Sequence, residues 1–373
     1  MIRAGSALDF PLRVARHAAP EVFVPSETPY RAKFAQPAEW QPHRACWLAW
    51  PSHADLWKES LETAQAEFVA LCHDIHAEGR GEQLEVLVSD AEQEKLAAAA
   101  LKAFSPRFHQ IPFGDIWLRD TAPVFVTNPT GAVASVRFGF NGWGGKYVLD
   151  HDGEVSQRVA QAAGLPEFHF EGIFEGGSID VDGEGTGLTT RQCLLNQNRN
   201  PDLGAFEVGM WLREALGVER LIWIDEGLLN DHTDGHIDTI ARFVAPGVVV
   251  CMESAGKDDP NRRVLDEIAR QLGAAKDAKG RKLQVVRIPS PGKLLDGAGR
   301  AMPASYVNFY IGNATVIVPT YGVPNDDEAV RRIAALFPSR QTTGRRAKAI
   351  LEGGGAFHCI TQQEPLGSAG AAK

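Results

Sequence analysis

Four stretches of the 373-residue chain gather polar side chains beside glycines and aromatic residues. Gly114-Asp-Ile-Trp-Leu-Arg-Asp-Thr-Ala-Pro123 carries Asp115, Trp117, Arg119 and Asp120. Carboxylates accept fork-shaped hydrogen bonds from a guanidinium, and an indole attracts a cation over its face, so this set suits a planar cation. A structural Asp–Arg pair beside a core tryptophan is the plainer alternative. In Ile173-Phe-Glu-Gly-Gly-Ser178, the glycines after Glu175 admit a close backbone approach, to a ligand or to another strand. The densest cluster is Asn230-Asp-His-Thr-Asp-Gly-His-Ile-Asp238. A strand over 236–243 would put His236 and Asp238 on one face, a proton-transfer group beside a carboxylate. The same segment offers Asp231, His232, Asp234, His236 and Asp238 as metal ligands. His232 and His236 have the i, i+4 spacing of a helical metal pair, but Asp234-Gly235 interrupts any regular helix between them. In Leu351-Glu-Gly-Gly-Gly-Ala-Phe-His-Cys-Ile-Thr-Gln-Gln-Glu-Pro365, three glycines lead to His358-Cys359. No Gly-Lys-Ser/Thr follows, so this is not a phosphate cradle. Cys359 alone reads as a packed hydrophobe; with a histidine brought to it, it reads as a covalent nucleophile.

The elements that must carry these residues are short. Leu61, Ala64, Phe68, Leu71 and Ile75 follow helical spacing that Gly79 ends. Further helices are predicted over 91–104, 156–163, 205–216, 261–272 and 326–337. Strands are predicted over 84–89, 220–225, 236–243, 248–252, 283–288, 306–311 and 315–318. Strands outnumber helices, which does not suit a doubly wound parallel sheet and does suit mixed-sheet units repeated around an axis. A weak echo, Phe174-Glu-Gly-Gly-Ser-Ile179 against Leu351-Glu-Gly-Gly-Gly-Ala356, establishes no repeat period. Residues 1–27 read as an irregular leader, 28–366 as one α/β domain and 367–373 as a flexible tail.

Composition narrows the partners. With 38 Lys+Arg against 47 Asp+Glu the formal charge is −9, which disfavours nucleic acid and anionic membrane surfaces and favours a cationic small molecule. The 44% hydrophobic content excludes a wholly disordered chain. No apolar run approaches the roughly 18 residues of a membrane helix, and no signal peptide is visible. Cys46, Cys72, Cys193, Cys251 and Cys359 form no CxxC pair and read as reduced thiols, so a cytoplasmic protein is expected. A homodimer is the base-rate expectation for its assembly.

An ordered set of motifs carries a resemblance. It runs from Pro37-Ala-Glu-Trp-Gln-Pro-His43 and Trp50-Pro51 through Asp115–Asp120, Phe140-Asn-Gly-Trp-Gly-Gly-Lys146, Glu175–Ser178 and Thr189-Thr190. It continues through Leu195-Asn-Gln-Asn-Arg-Asn-Pro201, Thr233–Asp238, Ser305-Tyr-Val-Asn-Phe-Tyr310 and Gly353–Gln363. The chain thereby resembles the agmatine deiminases of the guanidine-modifying superfamily, in the branch that holds the bacterial peptidylarginine deiminases. The resemblance implies a five-bladed α/β propeller with its site in a central channel, and no metal or organic cofactor. It implies Cys359 as nucleophile, His236 as general acid/base, Glu175 orienting His236, and Asp120 and Asp238 gripping the guanidinium. Trp117, Gly354 and His232 would complete the substrate pocket. The residue four before His236 is often acidic in that family, so His232 leaves recognition of the substrate's far amine open. The implied reaction is hydrolysis of agmatine to N-carbamoylputrescine and ammonia. Another guanidine substrate, a metal-dependent hydrolase built on 231–238, and a non-catalytic binding propeller are the alternatives.

Overall fold

The computed structural model describes residues 27–367, so the predicted leader and tail lie outside the described residues except for Glu27 and Gly367. Sixteen strands form five small mixed sheets. β1 (His43–Ala49), β2 (Gln83–Val88) and β3 (Arg107–Gln110) begin one of them. β4 (Val124–Thr127), β5 (Val133–Gly139) and β6 (Glu167–Ile173) make the next, then β7 (Asp180–Val181), β8 (Thr186–Thr190) and β9 (Arg220–Ile224). The fourth and fifth in line are β10 (Ala241–Ala245), β11 (Val248–Glu253) and β12 (Gln284–Pro289), and β13 (Tyr310–Ile311), β14 (Thr315–Thr320) and β15 (Gln341–Arg346). The last strand, β16 (Gln362–Pro365), returns to pair antiparallel with β1. Every sheet repeats one plan: an antiparallel pair, then a strand parallel to its second member. The five sheets follow one another in chain order and β16 ties the end to the beginning, giving the mixed α/β fold of several small mixed sheets that was expected.

Parallel neighbours need a crossover, and helices supply it. These are α1 (Leu61–His76) between β1 and β2, α2 (Ala91–Leu101) between β2 and β3, and α3 (Asp152–Ala163) between β5 and β6. α4 (Ala205–Leu216), α5 (Arg262–Ala274) and α6 (Asp326–Ala334) do the same for the remaining sheets. α1 buries Ala64, Phe68, Leu71 and Ile75, the stripe its spacing predicts. Asp90 starts α2 by accepting from the backbone N–H groups of Glu92 and Gln93. Strands covered by a helix read as apolar runs, and Leu84–Val88 is buried throughout.

Two predicted strands differ. Residues 236–243 are not one strand: Ile237–Thr239 form a 3₁₀ turn and pairing begins at Ala241. His236 and Asp238 therefore meet through a tight turn and not through pleat alternation. Of 306–311 only Tyr310 and Ile311 pair. Residues 306–309 are fully apolar-buried or nearly so, yet they run irregularly toward the centre, where Val307 N–H donates to the Ser305 hydroxyl. Burial there mimics a strand signal. α3 begins four residues earlier than predicted because its polar first turn, Asp152-Gly-Glu154, carries no apolar spacing.

Candidate active site

The segment leaving the third strand of each sheet passes through the centre, and each delivers a polar side chain. Residues 111–123 after β3 bring Asp120, and 174–179 after β6 bring Glu175. Residues 225–240 after β9 bring His236 and Asp238, and 290–309 after β12 bring Asn308. After β15 the short helix α7 (Lys348–Gly353) leads to Cys359. Cys359, Asp120, Asp238, Glu175 and His236 are all buried.

Their contacts form one cluster. The Cys359 thiol donates toward Asp238 Oδ2 at 3.6 Å and accepts from Asn308 Nδ2 at 3.1 Å. His236 Nδ1 lies 3.7 Å from Asp120 Oδ1, and its Nε2 lies 3.5 Å from Glu175 Oε2. Asp120 is fixed at both oxygens, by Gly177 N–H and by the Trp143 indole, each at 2.9 Å. Gly177 must be glycine, because a Cβ there would meet His236 Nδ1 at 2.6 Å and Asp120 Oδ1 at 3.0 Å. Three buried polar atoms at the centre have no hydrogen-bond partner: Asp238 Oδ1 and both ring nitrogens of His236. Buried polar atoms are nearly always paired, so three unpaired ones in one cluster set this centre apart.

Electrostatics sets the resting protonation. Burial pushes the Cys359 thiol well above its ordinary range, and Asp238 and Asp120 push it further. Burial opposes a charge on His236, but Asp120, Cys193 and Glu175 outweigh it and hold its pKa well above the ordinary value. Asp238 is lowered: burial acts against ionisation, and His358, His236 and Arg242 overcome it. Asp120 is raised by burial and by the neighbouring Asp238 and Glu175 charges. Burial and charge together favour a neutral Cys359 thiol, a protonated His236 and an ionised Asp238.

A pocket of about 380 Å³ opens onto Cys359 and Asp120. Trp57 and Trp117 stack along its wall, 6.2 Å between ring centroids, and both indoles donate to Asp115. Gly354 lines it with φ +122°, a backbone state that glycine alone adopts without strain. His232 also lines it, its Nδ1 3.2 Å from the Tyr147 hydroxyl. Glu59, Glu352 and Lys58 stand at the same pocket, Glu352 accepting from the Ser60 hydroxyl at 2.7 Å.

Other sequence candidates fall elsewhere. Arg119 does not line the pocket; it braces the turn of Cys359 through Gln362, Gln363 and the His358 carbonyl. The 231–238 metal reading does not assemble. Asp231 is engaged by Thr233, and Asp234 by Lys146, Asn198 and Arg199. Among the described residues the group within metal-binding reach is instead Glu175, Cys193 and His236. Arg199 Nε sits 3.1 and 3.0 Å from the two Glu175 oxygens, and that fixed cation opposes a second one. Sequence reasoning assigned no role to Asn308, Arg199 or Glu39, although each stands in a quoted motif. Asn308 could have been found by asking what the fourth sheet contributes.

Five small mixed sheets with a buried cysteine facing carboxylates fit what the resemblance to the guanidine-modifying superfamily implied. The comparisons with known proteins narrow that class. The chain belongs to the Porphyromonas-type peptidyl-arginine deiminase family, whose model matches residues 35–365. It is 40% identical over 363 residues to an agmatine deiminase of Stutzerimonas stutzeri, covering 91% of this chain and 98% of that protein. It is 38% identical to an agmatine deiminase of Pseudomonas aeruginosa, covering 91% and 98%. Among solved structures, the agmatine deiminase of Enterococcus faecalis is similar with TM-score 0.85 and 31% identity, covering 92% of this chain and 99% of that one.

Proposed function

We propose that the protein is a hydrolase of C–N bonds in linear amidines that converts agmatine to N-carbamoylputrescine and ammonia. The observation that carries the reading is the set of unpaired atoms around the thiol, Asp238 Oδ1 and the two His236 nitrogens. Ionised Asp238 and Asp120 grip the guanidinium nitrogens and hold its carbon at Cys359. The arriving cation offsets the negative charge that keeps the thiol protonated, and the proton leaves to solvent. The thiolate adds to the guanidinium carbon, giving a neutral tetrahedral adduct. His236 gives its proton to one amino group, the C–N bond breaks, and ammonia departs. The remaining thiouronium is attacked by water while His236 takes back a proton. Collapse breaks the C–S bond, releases the ureido product and restores the thiol. Glu175, held by Arg199, orients His236 through this exchange.

Agmatine is favoured over guanidines with acidic tails by Glu59 and Glu352 at the pocket and by the net charge of −9. Lys58 at the same pocket makes an ω-guanidino acid or arginine the competitor. An imidazole nitrogen of His232 offers a hydrogen-bond acceptor to an ammonium. The five unpaired buried cysteines support a reducing, cytoplasmic setting. The deciding experiment is ammonia release from agmatine, arginine, a blocked arginine peptide and 4-guanidinobutyrate in parallel. Preference for agmatine is expected. Preference for another guanidine would replace the substrate, and inactivity toward all four would remove the reading.

A further inference from the structure

We infer that His358 is a positioning residue: clamped between Glu39 and Asp238 with both ring nitrogens donating, it aims Asp238 so that one oxygen stays free for the substrate. This rests on the reading of Asp238 as one arm of the guanidinium grip. His358 Nδ1 is 2.7 Å from Asp238 Oδ2, and its Nε2 is 2.8 Å from Glu39 Oε2. All three side chains are buried. An ionised carboxylate only accepts, and a neutral imidazole has one N–H to give. Glu39 is plainly an acceptor: Ile311 N–H and Arg242 Nη2 each donate to it at 2.8 Å, and Arg119 Nη2 lies 3.6 Å away. With acceptors at both ends at this distance, both ring nitrogens must donate.

The consequence falls on Asp238. His358 engages Oδ2 and leaves Oδ1 without a partner, facing the centre. The ring is held at both nitrogens, the His358 main-chain N–H is held by Asn308, and the next residue is Cys359 itself. The cation that fixes one arm of the grip and the sulfur that attacks are thus on adjacent residues. The other charged and titratable groups around Asp238 are Cys359, His236 on its own segment, Arg242 from β10 and Asp120 from the segment after β3. Arg242 points to Asp180 and Glu39, so it does not replace the direct contact that His358 makes.

Two variants and one spectrum test this. In His358→Gln, Asp238 loses its cation and holds a proton more readily. The acid limb of kcat/KM should then move up by about one pH unit, and the guanidine KM should rise about tenfold. In Glu39→Gln, the ring keeps Asp238 but loses the carboxylate that secures its second proton. KM should then rise several-fold, with a smaller move of the acid limb than in His358→Gln. In ¹⁵N-histidine spectra of the unaltered protein, both His358 nitrogens should appear as N–H donors. Folded variants with the parent pH profile and KM would overturn the inference, and so would a His358 ring with a single N–H. If His358→Gln does not fold, Glu39→Gln and the spectrum decide. The spectrum needs no substrate, and the profiles can be taken with whichever guanidine is turned over, so an error in the substrate is distinguishable from an error here.

Discussion

Cys359 is surrounded by groups that disfavour its anion, which is unusual for a nucleophile. The thiol is a donor to Asp238 at rest, and only a bound cation changes that. Alkylation of the free protein by iodoacetamide should therefore accelerate with pH through 9 without a plateau; a plateau below pH 8 would show a resting thiolate. His236 runs the other way. Its raised pKa keeps the acid form through neutral pH, so kcat should hold there and fall only in the alkaline range, as the proton for departing ammonia is lost. Cys359→Ala should abolish ammonia release while circular dichroism stays unchanged, since the thiol's polar side-chain partners are Asn308 and Asp238 and neither lies in a strand or an α-helix. Retained turnover would remove the covalent route.

The elements act on these residues through their ends. Thr190 closes β8, accepts from Cys193 N–H at 3.1 Å and donates to the Gly235 carbonyl at 2.7 Å. One hydroxyl thus caps the turn that carries Cys193 and anchors the segment that carries His236. Thr190→Val should cost about 1–2 kcal/mol in thermal unfolding and lower kcat more than it raises KM. An unchanged kcat would mean that His236 is placed without it. At the end of α7, Glu352→Gln should raise KM for agmatine several-fold and leave KM for butylguanidine near the parent value. Equal effects on both would mean that Glu352 does not sense the tail. The helices were legible because Phe68, Leu71 and Ile75, or Leu212, Ala215 and Leu216, repeat at helical spacing. The site was legible as motifs, since Asp120, Glu175, His236, Asp238 and Cys359 each sit in a polar stretch with glycine. What periodicity misses is irregular buried backbone: Tyr306–Phe309 reads as a strand, and the turn at Ile237–Thr239 is hidden inside a run that looks extended. The echo of Glu175-Gly-Gly with Glu352-Gly-Gly also misleads, because Glu175 is fully buried at the centre and Glu352 is exposed at the pocket rim.

At the scale of the molecule, fully buried Arg242 on β10 joins what separate sheets contribute. It meets Asp180 of β7, Glu39 ahead of β1 and the Phe309 carbonyl ahead of β13. Removing one partner of such a buried network leaves the others uncompensated, so Arg242→Ala should destabilise by about 3–5 kcal/mol. A melting temperature within a degree or two of the parent would show that water or rearrangement replaces the guanidinium.

Because the polar groups are spread over all five outgoing segments, no fragment short of the full set of sheets contains the whole site. Three adjacent sheets could have native secondary structure and still lack either the sulfur or its histidine. Turnover is therefore a readout of β16 having found β1. In refolding, ammonia release should lag the return of the far-ultraviolet signal, which makes catalysis a clock for the last event in assembly.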